Sequence, residues 1–213
     1  MRLDSIREKG AFVAFSLAAA FGAATDSALA AEHELGLGAS SYSAGDDQTE
    51  ELFDVDSGPI PHVFYRYEDE SNVYHVSLGW ENWERSVVEP GTDVETELDF
   101  WPIVGSYRYL FTPDKSFSFF VGGGLGVLVY DARVEGVDGA VALSALETGA
   151  VLSLEPLAGI ELEAGRSVTF HAEAKYSWQP FTASDLDLET VVIDVDLSGL
   201  YVTASVSFRV GGD

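Results

Sequence analysis

The sequence predicts an all-β fold: an eight-stranded antiparallel up-and-down barrel that crosses a membrane with its strands. Three observations lead there. The first is the stretch Val168 to Trp178, in which Val168, Phe170, Ala172, Ala174, Tyr176 and Trp178 alternate with Thr169, His171, Glu173, Lys175 and Ser177. A period of two belongs to a strand, because successive side chains leave it on opposite faces. The polar face carries three consecutive ionisable groups and the apolar face ends in aromatics, as in a strand with lipid outside and a narrow polar lumen inside. The second observation is that long and short connections alternate along the chain. The third is that the aromatic residues gather in two belts.

Taken in order, His33 to Tyr42 alternates, with Leu35, Leu37 and Ala39 opposite Glu34, Gly36, Gly38 and Ser40. The acidic stretch Ser43 to Gly58 follows as a long connection. Pro59 to Glu68 sets Val63, Tyr65 and Tyr67 against His62, Phe64 and Arg66. A short break at Asp69 to Asn72 leads into Val73 to Glu84, where Tyr74, Val76, Leu78 and Trp80 share a face. Arg85 to Glu95 reads as a loop with Pro90-Gly91 as its turn signal. Thr96 to Phe111 puts Trp101, Ile103, Gly105, Tyr107, Tyr109 and Phe111 on one side, with Ser106 and Arg108 on the other.

After the tight turn Thr112 to Ser116, Phe117 to Tyr130 carries Phe117, Phe119, Val121, Leu125, Val127 and Val129 on its apolar face. Asp131 to Thr148 is the next long connection, and its Gly139 to Leu146 portion reads as a short helix or loop. Gly149 to Ala164 sets Leu152, Leu154, Ala158, Ile160 and Leu162 against Ser153, Glu155, Glu161 and Glu163. Gly165-Arg166-Ser167 turns into the stretch already described. The polar Gln179 to Asp194 then precedes a last strand, Val195 to Val210.

Eight strands result, with every short turn at one end. A sandwich has no reason for that asymmetry, whereas a membrane barrel keeps short turns on the inner side and longer loops outside. With the first strand running outward, Tyr65, Tyr67, Tyr107, Tyr109, Phe117, Phe170 and Phe208 gather at the short-turn end. Trp80, Trp101, Tyr176 and Trp178 gather at the long-loop end. Phe170 and Trp178 are separated by about 27 Å along an extended strand, roughly 20 Å along the membrane normal at a tilt near 40°. That is close to the height of an apolar band.

Bulk properties agree. Arg2, Arg7 and Lys9, the apolar run Ala11 to Ala24 and the small-residue site Ala28-Leu29-Ala30 form a secretory signal over residues 1–30, which leaves 31–213 as the barrel domain. The absence of cysteine excludes disulfides and thiolate metal sites. A formal net charge of −25 excludes nucleic acid as a partner. No run approaches the ~20 apolar residues a spanning helix needs.

Leu157 to Leu162, the turn, and Phe170 to Tyr176 resemble the penultimate hairpin of small OmpA/OmpX-type outer-membrane barrels, and Leu200 to Val210 resembles their last strand. The likeness is one of pattern over the whole mature chain. It implies an outer-membrane location of Gram-negative type, periplasmic termini, extracellular long loops, a monomer, and outer-membrane lipid and lipopolysaccharide as surroundings. The family usually ends on an aromatic residue, whereas here Phe208 is followed by Arg209, Val210 and Gly211-Gly212-Asp213.

The candidate chemistry reduces to one constellation. Gly122-Gly123-Gly124-Leu125-Gly126 runs straight into strand residues rather than a helix, so it is no nucleotide loop. His75-Val76-Ser77 matches the bare His-x-Ser spacing of lipid A deacylases, but parity puts both side chains in the lumen rather than facing lipid. No catalytic group, metal site or cofactor is expected. Asp46 to Asp56 and Asp185 to Asp194 hold acidic clusters suited to loose divalent-cation screening, without the glycine and length of a calcium loop. Arg66, Arg108, Lys175 and Arg209 project inward by parity, with Glu34, Glu81, Glu155, Glu161 and Glu173. A barrel of eight strands is filled by its own side chains, and isolated charges are costly to bury, so these should form a plugging salt-bridge network. The expected function is structural or surface-interacting. The alternatives are a narrow cation-selective porin and, behind it, a lipid A-modifying barrel enzyme.

Overall fold

The computed structural model of the chain describes residues 32–44, 59–90, 92–113, 116–138, 141–179, 183–188, 191–195 and 198–210. The expected signal and the acidic Asp46–Asp56 cluster lie outside these residues. The described strands are β1 (Glu32–Ala44), β2 (Ile60–Asp69), β3 (Asn72–Gly79), β4 (Glu81–Glu89), β5 (Thr92–Phe111), β6 (Phe117–Asp138), β7 (Val141–Glu163), β8 (Val168–Ser177), β9 (Ala183–Leu188), β10 (Val191–Val195) and β11 (Gly199–Arg209).

The sheet runs β3-β2-β1-β11-β8-β7-β6-β5, and β3 pairs with β5, so the wall closes on itself. All pairings are antiparallel. β3 and β4 are one barrel strand interrupted near Trp80. Leu78 pairs with Ile103 and Glu81 with Phe100, so the register is unchanged across the break. Pro102 stands where Gly79 would pair and has no N–H to donate, which explains the missing rung. Among the described residues eight wall strands result, and β9 and β10 pair only with each other.

Three long connections differ from the sequence expectation. Arg85 to Glu95, read as a loop, is instead the tip of the β4–β5 hairpin, with paired strand up to Val88↔Asp93 and Glu89↔Thr92. Asp131 to Thr148, with its Gly139 to Leu146 helix-or-loop portion, is strand: β6 and β7 stay in register up to Asp138↔Val141. Gln179 to Asp194 contains β9 and most of β10, and the last wall strand begins at Gly199 rather than Val195. The reason is that alternation continues past the membrane band while the outward residues turn acidic. Asp93, Glu95, Glu97 and Asp99 occupy positions that Trp101 and Ile103 occupy lower on β5. A strand with solvated carboxylates on one face has a loop's composition and a strand's period.

The faces separate by chemistry. Outward side chains are apolar and exposed, among them Leu37, Val63, Leu125, Leu152 and Val202. Inward positions hold two apolar clusters. Tyr42, Ile60, Trp83, Leu98, Phe100, Leu128, Tyr130, Ala132, Val151 and Tyr201 form one, and Val73, Leu110, Phe120 and Leu157 the other. Glycine opposite a bulky neighbour makes this packing fit: a Cβ on Gly36 would lie 2.1 Å from Phe64 Cζ. Phe64 is thereby laid across β1 and packs its ring 4.7 Å from that of His75.

Candidate functional site

The site is the lumen, and its residues are placed by strand parity. β8 illustrates this: Thr169, His171, Glu173 and Ser177 are buried inward, while Phe170, Ala172, Ala174 and Tyr176 are exposed outward. The other inward positions fill the same space from across the barrel.

Arg66 is the hub of the first cluster. Its Nη1 donates to Glu34 Oε2 at 2.9 Å, and its Nη2 lies 2.5 Å from Glu68 and 3.0 Å from Glu161. Glu34 also accepts from Ser207 Oγ at 2.6 Å and Thr169 Oγ1 at 3.3 Å. His171 Nε2 is 2.8 Å from the same Ser207 hydroxyl, and its Nδ1 is 3.6 Å from Glu161. Three carboxylates thus converge on one guanidinium that is 2% exposed. Charge-assisted bonds of this kind offset desolvation that an unpaired ion could not survive.

A second pair, Arg108 to Glu173 at 2.8 Å, has its guanidinium carbon 5.0 Å from the Phe120 ring centre. A third, Lys175 to Glu155 at 2.8 Å, lies with its ammonium 4.9 Å from the Tyr201 ring centre. These cation–ring contacts knit the charged groups to the apolar clusters. At the rim Arg209 pairs with Glu32. Glu81 accepts from the Trp83 indole inside the upper apolar cluster.

The expected lumen residues therefore fall into three separate ion-pair groups, a rim pair and one carboxylate among aromatics, not one cross-section. Glu32, Glu68 and Ser207 were not singled out from sequence, and His171, read on the polar face of its strand, was not assigned to the charge network. Glu68 has inward parity, two residues from Arg66, and could have been read from it. The aromatic stopper of Tyr42, Trp83, Phe100, Tyr130 and Tyr201 was also unexpected. Its rings pack across strands: Tyr42 stacks on Trp83 at 5.3 Å and meets Tyr201 at a tilt at 4.8 Å, and Trp83 meets Phe100 edge to face at 4.7 Å.

Outside, the belt residues Tyr107, Tyr109, Phe117, Phe170 and Phe208 are exposed at one end, and Trp80 and Trp178 at the other. Tyr65, Tyr67 and Trp101 are partly covered by neighbours. Tyr67, Tyr74 and Tyr107 form a continuous edge around the short-turn end, with ring centres 6.0 and 5.6 Å apart.

Beyond the tryptophans the wall continues as a four-stranded sheet, β4 to β7, whose outward face is acidic. Glu84 opposes Glu97, Asp99 opposes Asp131, and Glu95 opposes Glu135. Arg133, expected in a loop, stands on this face and binds Glu135 at 2.6 Å, with both side chains about half exposed. Like charges in direct opposition destabilise a sheet. His75 and Ser77, the bare deacylase spacing, line an interior cavity instead of the outer surface.

The architecture is that of a closed eight-stranded antiparallel barrel of the small outer-membrane type. No protein-family model matches the chain, and no protein of curated function matches it. Among solved structures, the chain is similar to a major outer membrane protein from Thermus thermophilus, at 9% identity and a TM-score of 0.62, covering 85% of this chain and 100% of that one. It is also similar to Neisserial surface protein A, at 14% identity and a TM-score of 0.50, covering 84% of this chain and 97% of that one.

Proposed function

We propose that this chain is an integral outer-membrane barrel with a structural or surface-interaction role, closed to ions and not an enzyme. The observation that carries the reading is the inversion of its faces: apolar side chains exposed between two aromatic belts, charged ones buried and paired. A soluble binding barrel would have the opposite arrangement. The fold shared with outer-membrane proteins supports the location. In this reading the termini are periplasmic, residues 1–30 are removed on export, and the acidic sheet β4–β7 stands outside the cell. There its carboxylates, with the acidic 45–58 stretch, interact with lipopolysaccharide through divalent cations.

Fractionation tests the reading. The mature protein should stay with outer membranes through alkaline carbonate and begin at Ala31. Recovery as soluble periplasmic protein would overturn it.

A further inference from the structure

We propose that the lumen contains an acid-sensitive latch, in which His75 and the neighbouring His62 must stay neutral for the packing to hold. A cavity of about 50 Å3 is lined by His62 from β2, His75 from β3, Arg108 from β5, and His171, Glu173 and Lys175 from β8. Phe64 sits among the imidazoles, its ring centre 4.7 Å from that of His75, 5.8 Å from His171 and 6.1 Å from His62.

The charges around this cavity are already matched. Glu173 lies 2.8 Å from Arg108, and Glu155 lies 2.8 Å from Lys175. His171 has Glu161 3.6 Å from its Nδ1, so a proton gained there meets a carboxylate. His75 is set differently. The titratable and charged groups acting on it are Arg66 and His62 on β2, Arg108 on β5 and His171 on β8. His62 in turn faces Lys175 and Arg108. β11 adds hydroxyls to the lining, from Tyr201, Thr203 and Ser205. A proton on His75 or His62 therefore brings a further positive charge into a buried space whose carboxylates are taken, and such a charge is costly. In the unfolded chain the same imidazole charges in water without that cost, in the range between about pH 5 and pH 8 where histidines titrate. Stability present at neutral pH is thus lost as the pH falls, and the middle of the lumen is where the barrel loosens.

Urea unfolding of the micelle-refolded full chain tests this, for wild type, His75→Gln and His62→Gln, each under neutral and acidic conditions. An imidazole that charges only in the unfolded chain lowers the folded-to-unfolded ratio about thirtyfold between about pH 7.5 and pH 5. His75→Gln should be spared about that factor relative to wild type, and the half-buried His62 should account for a smaller one in His62→Gln. Carboxylates common to all three chains titrate alike and cancel in the comparison. Equal losses in wild type and both variants overturn the proposal, because the acid sensitivity would then lie in those carboxylates. A wild type no less stable in acid also overturns it. Should His75→Gln fail to refold, the comparison of wild type with His62→Gln decides alone. Neither result depends on where in the cell the barrel resides.

Discussion

Arg66 and Arg133 make nearly the same bond, an Nη2 atom within 2.6 Å of a carboxylate, in opposite settings. Arg66 is 2% exposed and Arg133 46%. Arg66→Met should destabilise the barrel by about 3–5 kcal/mol, because it strands three buried carboxylates. Arg133→Ala should cost far less, because an exposed pair is screened by solvent. Urea unfolding of both variants in one detergent checks the contrast, and equal losses would contradict the hub role of Arg66. A conservative Arg66→Lys should recover only part of the loss, since one ammonium cannot reproduce the planar fork.

At the scale of the element, β5 was readable and its upper half was not. From Trp101 to Phe111 the outward residues are apolar, and period and composition agree. From Asp93 to Asp99 the period persists as D-V-E-T-E-L-D, but the acidic residues resemble a solvated loop. Pairing decides the matter, because β4 and β6 hold both sides of β5 in one register over this stretch. The cross-strand carboxylates that hid the strand also strain it. Glu95 stands opposite Glu135, so Glu95→Lys should stabilise the protruding sheet by roughly 0.2–1 kcal/mol. Slower amide exchange at Val94 and Thr96 is the expected sign. Unchanged or faster exchange would mean that cations or solvent already screen the repulsion.

At the scale of the whole molecule, strand count and closure were readable, and so was the inward face of Arg66 and Arg108, because within a recognised strand parity alone fixes which face a side chain takes. What fills the lumen was not. Phe64, Phe100 and Tyr130 alternate as regularly as Arg66 and Arg108, but which inward rings meet depends on how far each strand is staggered against the next. In the proposed reading the aromatic stopper and the Arg66 cluster act as two seals in series. Neither Arg66→Met nor Arg108→Ala should therefore open a steady channel while the stopper is intact. Planar bilayers holding wild type should show at most rare, small openings. Ohmic, cation-selective conductance from the wild type would favour the porin reading.

The central claim is that the exposed apolar face meets lipid. Because the chain has no cysteine, Leu125→Cys and Val202→Cys each place one thiol on that face, at positions 68% and 55% exposed. Labelled with a fluorophore in liposomes, both should be strongly quenched when the lipid chains are brominated, and a label at Glu135→Cys on the acidic sheet should not. Equal quenching at all three sites, or a soluble quencher reaching Leu125→Cys first, would contradict the account.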